Sequence, residues 1–193
     1  MSLEYFADKV YDSLKASEKS LPTGEYEACK FRNCDLANAD LSHMKFIDTE
    51  FVGCNLSNSN IADTFFQDVI FKDCKMLGMR FDECSDFRFA CDFDGCQLES
   101  SSFLKKDMKH TRFNKCDLGS VDLGEADLEG VSLNDCSLVS AMFERTNLTK
   151  ADLTGSSGFV IDPEENRIKG AKISLSTVQG LLQKYGIIIE NDT

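Results

Sequence analysis

An all-β solenoid is the fold class this sequence predicts: a coil of four short sides, stacked on itself. Two spacings predict it. A large apolar residue returns at every fifth position, from Phe31, Leu36, Leu41 and Phe46 through to Phe143, Leu148 and Leu153. Within that repeat, Cys34, Cys54 and Cys74 stand 20 residues apart, and so do Cys96, Cys116 and Cys136. Neither the helical period of about 3.6 nor the strand period of about 2 produces a period of five. A fixed internal period marks stacked repeats that bury one another's apolar faces. Four steps of five close one turn, so each set of cysteines lies in one column.

Residues 1–173 are assigned to the solenoid and 174–193 to a C-terminal cap. At the front, Phe6, Tyr11, Leu21 and Tyr26 keep the frame, so residues 1–25 read as an imperfect first coil. A short amphipathic helix over 3–15 is the alternative. The frame then runs unbroken to Phe81 and slips by two before Phe93, which gives the step of 22 from Cys74 to Cys96. Segment 82–92 is therefore a bulged coil. Phe87 is placed at its inward position, with Phe89 partly exposed. Segment 155–166 reads as a loop, after which Ile168 and Ile173 restore the frame. Ser176-Thr177-Val178-Gln179 reads as a capping box, followed by Leu181, Leu182 and Tyr185 at helical spacing and Gly186 as the stop. The run Ile187-Ile188-Ile189 is expected to form a strand that pairs with a second copy, giving a homodimer through the C-terminus.

The residue two before each frame position is usually small: Cys, Ala, Ser, Thr or Val. All nine cysteines except Cys84 take that place directly, a place that points inward in the repeat fold this chain resembles. They are read as structural, since no C-x-x-C pair and no neighbouring histidine offers a metal site. No apolar stretch is long enough to span a membrane. The opening residues lack the basic flank and apolar core of a secretion signal, so a cytoplasmic protein with reduced thiols is expected. The formal net charge of −12 argues against direct nucleic-acid binding. Catalysis is not expected either. His43 and His110 sit outward on different sides, no phosphate loop or nucleophile motif occurs, and a filled interior leaves no room for a substrate or cofactor.

One side carries Asp86, Asp107 and Asp127 in successive coils, with Asp48 and Asp68 lower down. Like charges stacked across a sheet repel, so the ladder reads as a partner-binding acidic face. Lys106 is anomalous: it occupies an inward slot, where an ammonium must reach outward or the coil must open.

Units such as Cys34-Asp35-Leu36, Ala39-Asp40-Leu41 and Ala126-Asp127-Leu128 resemble the pentapeptide-repeat family. The resemblance implies a right-handed quadrilateral β-helix of about eight coils. Ile161-Asp162-Pro163-Glu164-Glu165-Asn166-Arg167-Ile168 and Phe71-Lys72-Asp73-Cys74-Lys75-Met76-Leu77-Gly78 look like the microcin- and albicidin-immunity branch (McbG and AlbG type). The Qnr quinolone-resistance proteins are more distant relatives. What these imply is a non-catalytic dimeric rod that imitates duplex DNA, binds DNA gyrase or topoisomerase IV and protects it from poisons. The alternative is a structural scaffold with another partner. Qnr proteins carry longer projecting loops; here Glu83, Arg88 and Phe89 in the bulged coil are the candidates for that part. Leu182, Tyr185, Ile187, Ile188 and Ile189 are the candidate dimer interface. Over about 40 Å of stacked coils at ~4.8 Å each, the net −12 is one charge per ~3.3 Å. Duplex DNA carries one per ~1.7 Å, so the density is about half.

Overall fold

Alternation of inward and outward side chains makes the short strands, and the corners between them explain the outward Asp and Asn. In Asp40, Asp117 and Asp122 the side-chain oxygen accepts the backbone N–H two residues on, at 3.1, 3.0 and 2.9 Å. This is an Asx turn, which bends the chain after each apolar residue. The corner residue then adopts a left-handed conformation, as at Asn33 (φ 50°), Asn58 (φ 55°) and Asp73 (φ 51°). Asn and Asp tolerate this better than most residues.

The result, in a computed structural model that describes residues 4–188, is a parallel β-solenoid closed by one short helix. The strands are Glu4–Ala7 (β1), Val10–Asp12 (β2), Gly24–Glu27 (β3), Lys30–Arg32 (β4), Lys45–Ile47 (β5), Glu50–Val52 (β6), Phe65–Gln67 (β7), Val69–Lys72 (β8), Cys91–Asp94 (β9), Arg112–Asn114 (β10) and Ser132–Asn134 (β11). One sheet stacks β1-β3-β5-β7. A second stacks β2-β4-β6-β8-β9-β10-β11, about seven turns deep. Isolated bridges Ser132↔Asp152 and Asp152↔Lys172 carry that second stack further. The register is 20 residues per turn, as in Phe31↔Phe51 and Phe93↔Phe113, except at Phe71↔Phe93, where it is 22. Residues 4–12 form two strands and not the alternative helix.

Inside, aromatic rings stack turn on turn. Phe31–Phe51, Phe51–Phe71, Phe71–Phe93 and Phe93–Phe113 lie with centroids 4.6, 5.1, 5.2 and 5.0 Å apart and near-parallel planes. Neighbouring columns meet edge-on, as at Phe46–Phe51 (5.4 Å, 70°). Each such ring contributes about 1.5–3 kcal/mol by burial, and the stacking geometry adds roughly 0.5–1.5 kcal/mol. The small inward residues tie each turn to the one below. Cys54 Sγ donates to the Phe31 carbonyl at 3.4 Å, Cys74 to Phe51 at 3.4 Å and Cys116 to Phe93 at 3.4 Å. Thr64 and Ser59 hydroxyls do the same to Leu41 and Leu36 at 2.8 and 2.7 Å. All nine cysteines are free and buried.

At the far end, Phe159 and Ile161 turn inward and close the core. Helix α1 (Gln179–Leu182) packs on them, with the Ile161 N–H donating to the Gly180 carbonyl at 3.0 Å. A Cβ on Gly180 would fall on the Phe159 carbonyl oxygen, so only glycine permits this approach. The predicted capping box is not formed. A 3-10 turn, Leu175–Thr177, precedes the helix, and Thr177 Oγ1 donates back to the Ser174 carbonyl at 3.2 Å. Gly186 does end the helical segment, in the left-handed conformation (φ 62°). The expected strand is not seen at Ile187 and Ile188, which lie exposed beyond Gly186 with no rung beside them among the described residues. Ile189 lies outside the described residues.

Candidate functional site

The 22-residue turn is where the surface departs from the repeat, and a side chain in the turn above accounts for its shape. Lys106 stands in the inward slot, only 1% exposed, where other turns carry Met44, Thr64, Cys84, Ala126 and Thr146. Its ammonium needs acceptors, and the widened turn supplies them. Nζ donates to the Cys84 carbonyl at 2.8 Å and to Asp86 Oδ1 at 2.6 Å, and sits 5.2 Å from the centroid of the Phe89 ring. A buried ammonium without partners would be strongly destabilising. The chain descends into this arrangement through a 3-10 turn, Phe81–Glu83, and leaves it at β9.

This geometry reverses two sequence-based expectations. Phe89, expected to be partly exposed, is 4% exposed and packs edge-on to Phe81 at 6.2 Å. Phe87, expected inward, is 68% exposed, with its ring 6.0 Å from Phe65 on the turn below. The two residues are two apart, so either could fill the inward slot by pattern alone. The demand of Lys106 for Asp86 decides between them, because it turns Asp86 and Phe87 outward together. Arg88 follows in the left-handed conformation (φ 54°), with its guanidinium 5.6 Å from the Phe87 ring. Glu83 is exposed and lies 3.4 Å from Arg80, which also grips Asp82 at 2.7 Å.

The acidic ladder is likewise dismantled. Asp107 and Asp127 do bridge successive turns, but Asp86 is taken by Lys106 and Phe87 stands above Phe65 in the outward column. Lys109 lies 2.7 Å from Asp127 and 3.9 Å from Asp107. Against the burial that would raise it, the hydrogen bond from Lys109 and others from Glu129 and Asn147 hold the Asp127 carboxyl below its ordinary range. Asp48 and Asp68 sit apart at left-handed corners (φ 47° and 53°), exposed, and not in line with the other three.

Beside the widened turn runs an open groove of about 710 Å³, with Asp68, Arg88, Lys109, His110 and Arg112 along it. Thr111 lines its floor. Its buried Oγ1 has no hydrogen-bond partner, whereas the equivalent Thr49 bonds the Tyr26 carbonyl below at 3.0 Å.

At the cap, Lys184 Nζ grips Asp162 at 2.6 Å and Glu164 at 2.8 Å, and the Tyr185 hydroxyl donates to Glu164 at 2.9 Å. The Lys184 hydrogen bonds hold both carboxyls below their ordinary range. Leu182 is partly buried and Tyr185 half exposed. Sequence reasoning missed this latch and the outward Phe87. The signal for the second was present: Asp86 lies one 20-residue turn below Lys106.

Among the described residues no group of His, Cys, Asp and Glu is placed to hold a metal ion, and no helix is long and apolar enough to cross a membrane. No curated protein sequence matches the chain. Two trypsin-treated forms of QnrB1, described as a plasmid-mediated fluoroquinolone resistance protein, are similar in structure at 20% identity. One gives a TM-score of 0.53 over 99% of this chain and 100% of that one; the other gives 0.56 over 96% and 97%. HetL, a pentapeptide repeat protein involved in heterocyst differentiation regulation from the cyanobacterium Nostoc sp. strain PCC 7120, is 14% identical with a TM-score of 0.39 over 89% of each chain. The pentapeptide repeat region model matches residues 25–89 and 86–157, and with that the chain belongs to the pentapeptide-repeat family.

Proposed function

We propose that the chain is a non-catalytic binding rod that engages DNA gyrase or topoisomerase IV and protects it from poisons of the quinolone, microcin or albicidin type. The observation that carries a binding role is the widened turn. It projects an exposed aromatic and a guanidinium, Phe87 and Arg88, from a surface that is otherwise repetitive. Aromatic and Arg side chains are the residues on which protein interfaces most often depend. The choice of a topoisomerase rests on the acidic charge and the fold shared with QnrB1. The interior is filled by side chains, which argues against a substrate site.

A second reading, an interaction scaffold for a different partner, draws support from one observation. The acids expected to imitate phosphates are partly neutralised within the chain, Asp86 by Lys106 and Asp127 by Lys109. Supercoiling by purified gyrase, with and without a quinolone and this protein, separates the two. Topoisomerase protection predicts rescue of supercoiling by the wild-type chain and less rescue by Phe87→Ser with Arg88→Ser. Neither inhibition nor rescue at micromolar protein would leave only the scaffold.

A further inference from the structure

One side of the rod changes sign along its length. It carries β1, β3, β5 and β7 below the widened turn and the Asp107↔Asp127↔Asn147↔Arg167 bridges above it. At its N-terminal end the outward acids are Asp8, Glu25 and Glu27. Glu25 is joined to Lys45 at 3.1 Å, and the Tyr5 hydroxyl donates to Glu27. At its C-terminal end the outward cations are Lys150, Arg167 and Lys169. Lys150 reaches Glu129 only at 4.0 Å, and Arg167 and Lys169 have no ion pair among the described residues. Midway between them stands Phe87.

We infer that this side is a self-association surface, on which two copies of the chain lie side by side and antiparallel about a two-fold axis at Phe87. A two-fold interface must be complementary to itself. A strip whose end rungs are acidic at one end and basic at the other, with Phe87 midway among rungs of mixed charge that carry Lys45, Asp48, Asp107, Lys109, Asp127 and Glu129, meets that requirement when one copy is reversed. The axis sets the Glu25 and Glu27 rung of one copy against the Lys150 rung of the other. Asp8 then faces Arg167 and Lys169, and Asp68 faces Lys109. A parallel arrangement would bring like ends together.

The strip is about 40 Å long at ~4.8 Å per rung and about 10 Å wide for three outward residues. That is roughly 800 Å² counted over both copies, in the range of small, transient interfaces. The association is therefore weak, in the micromolar range or above, and sensitive to salt, because most of its charges are exposed.

Sedimentation velocity over a concentration series tests this. Wild type should form dimers at about 50 mM salt, with a dissociation constant raised roughly tenfold or more at 0.5 M. Two variants divide the strip: Glu25→Lys with Glu27→Lys makes both ends basic, and Arg167→Glu with Lys169→Glu makes both ends acidic. Each alone should remain monomeric, and an equimolar mixture should recover the dimer. Phe87→Ser should weaken it, and truncation of residues 187–193 should leave it intact. Circular dichroism establishes that each variant is folded. A wild type that is monomeric in low salt at 100 μM or so would overturn the inference. So would self-association of either charge variant at wild-type strength, a mixture that recovers nothing, or loss of the dimer on truncation of the tail.

Discussion

Lys106 Nζ, sealed inside the solenoid, is joined at 2.6 Å to the carboxylate of Asp86, which is itself mostly in water. The pair spans one turn and holds the widened turn open. Removing Asp86 leaves the ammonium with the Cys84 carbonyl and the Phe89 ring alone. Because Asp86 is solvated, the loss is screened, and Asp86→Ala should destabilise by about 1–2 kcal/mol and not by the several kcal/mol typical of a fully buried pair. Lys106→Met removes the charge, so Asp86→Ala added to it should cost little. A double-mutant cycle by urea denaturation gives the coupling.

Phe87 and Phe89 should behave oppositely. Phe89→Ala empties a site in the core and should cost about 3 kcal/mol or more. Phe87→Ala removes an exposed ring that touches Phe65 and should change stability by less than about 1 kcal/mol. Denaturant midpoints of the two variants provide the comparison.

The thiols should be silent in the native protein and costly in alkali. Burial pushes the Cys84 thiol up to about 11, and the hydrogen bond with Cys54, aided by burial, pushes Cys74 up to about 12. Burial also holds Cys91 well above its ordinary value of 9.0. Below pH 9 these thiols are protonated whether the chain is folded or not, so their contribution is fully present. As pH rises from 9 towards 11 these thiols ionise in the unfolded chain and not in the folded one, so stability falls, by about 1.4 kcal/mol per pH unit for each such thiol. Denaturation midpoints from pH 7 to 11 should show this decline. An aromatic disulfide reagent should label none of the nine thiols until the chain unfolds.

The cap should loosen in acid. Asp162 and Glu164 are held below their ordinary values of 3.8 and 4.5 by Lys184. Their contribution is therefore present above those values and lost as pH falls through the lowered folded-state ones. Amide chemical shifts of residues 179–185 should stay constant from pH 7 to about 5 and move below about 4. Lys184→Ala should show the loosened shifts already at pH 7.

How much of this could be read from the sequence depends on how local each feature is. The solenoid was legible because both of its determinants repeat: an apolar residue at every fifth position and a small inward residue two before it. The anomaly at Lys106 was visible for the same reason, as a break in that pattern. The orientation of Phe87 and Phe89 was not, because the frame slips by two there, either phenylalanine fits the inward slot by pattern, and the contact that decides it lies one turn away. The acidic ladder failed on the same slip: Asp86 and Asp107 occupy different places in their turns. At the cap, the Ser176–Gln179 pattern matched a helix start, but a helix as short as Gln179–Leu182 takes its position from Phe159 and Lys184 and not from its own caps.

The extra residues between Cys74 and Cys96 leave the pairing on both sides undisturbed: Phe71 meets Phe93, and Phe93 meets Phe113, in the same column. Such a stack tolerates added length only where the added chain leaves a rung and rejoins it in phase. The outward pair Phe87-Arg88 therefore marks a graft point. A longer segment spliced there would hang from the rod as a freely variable element, while every rung before and after it kept its partner.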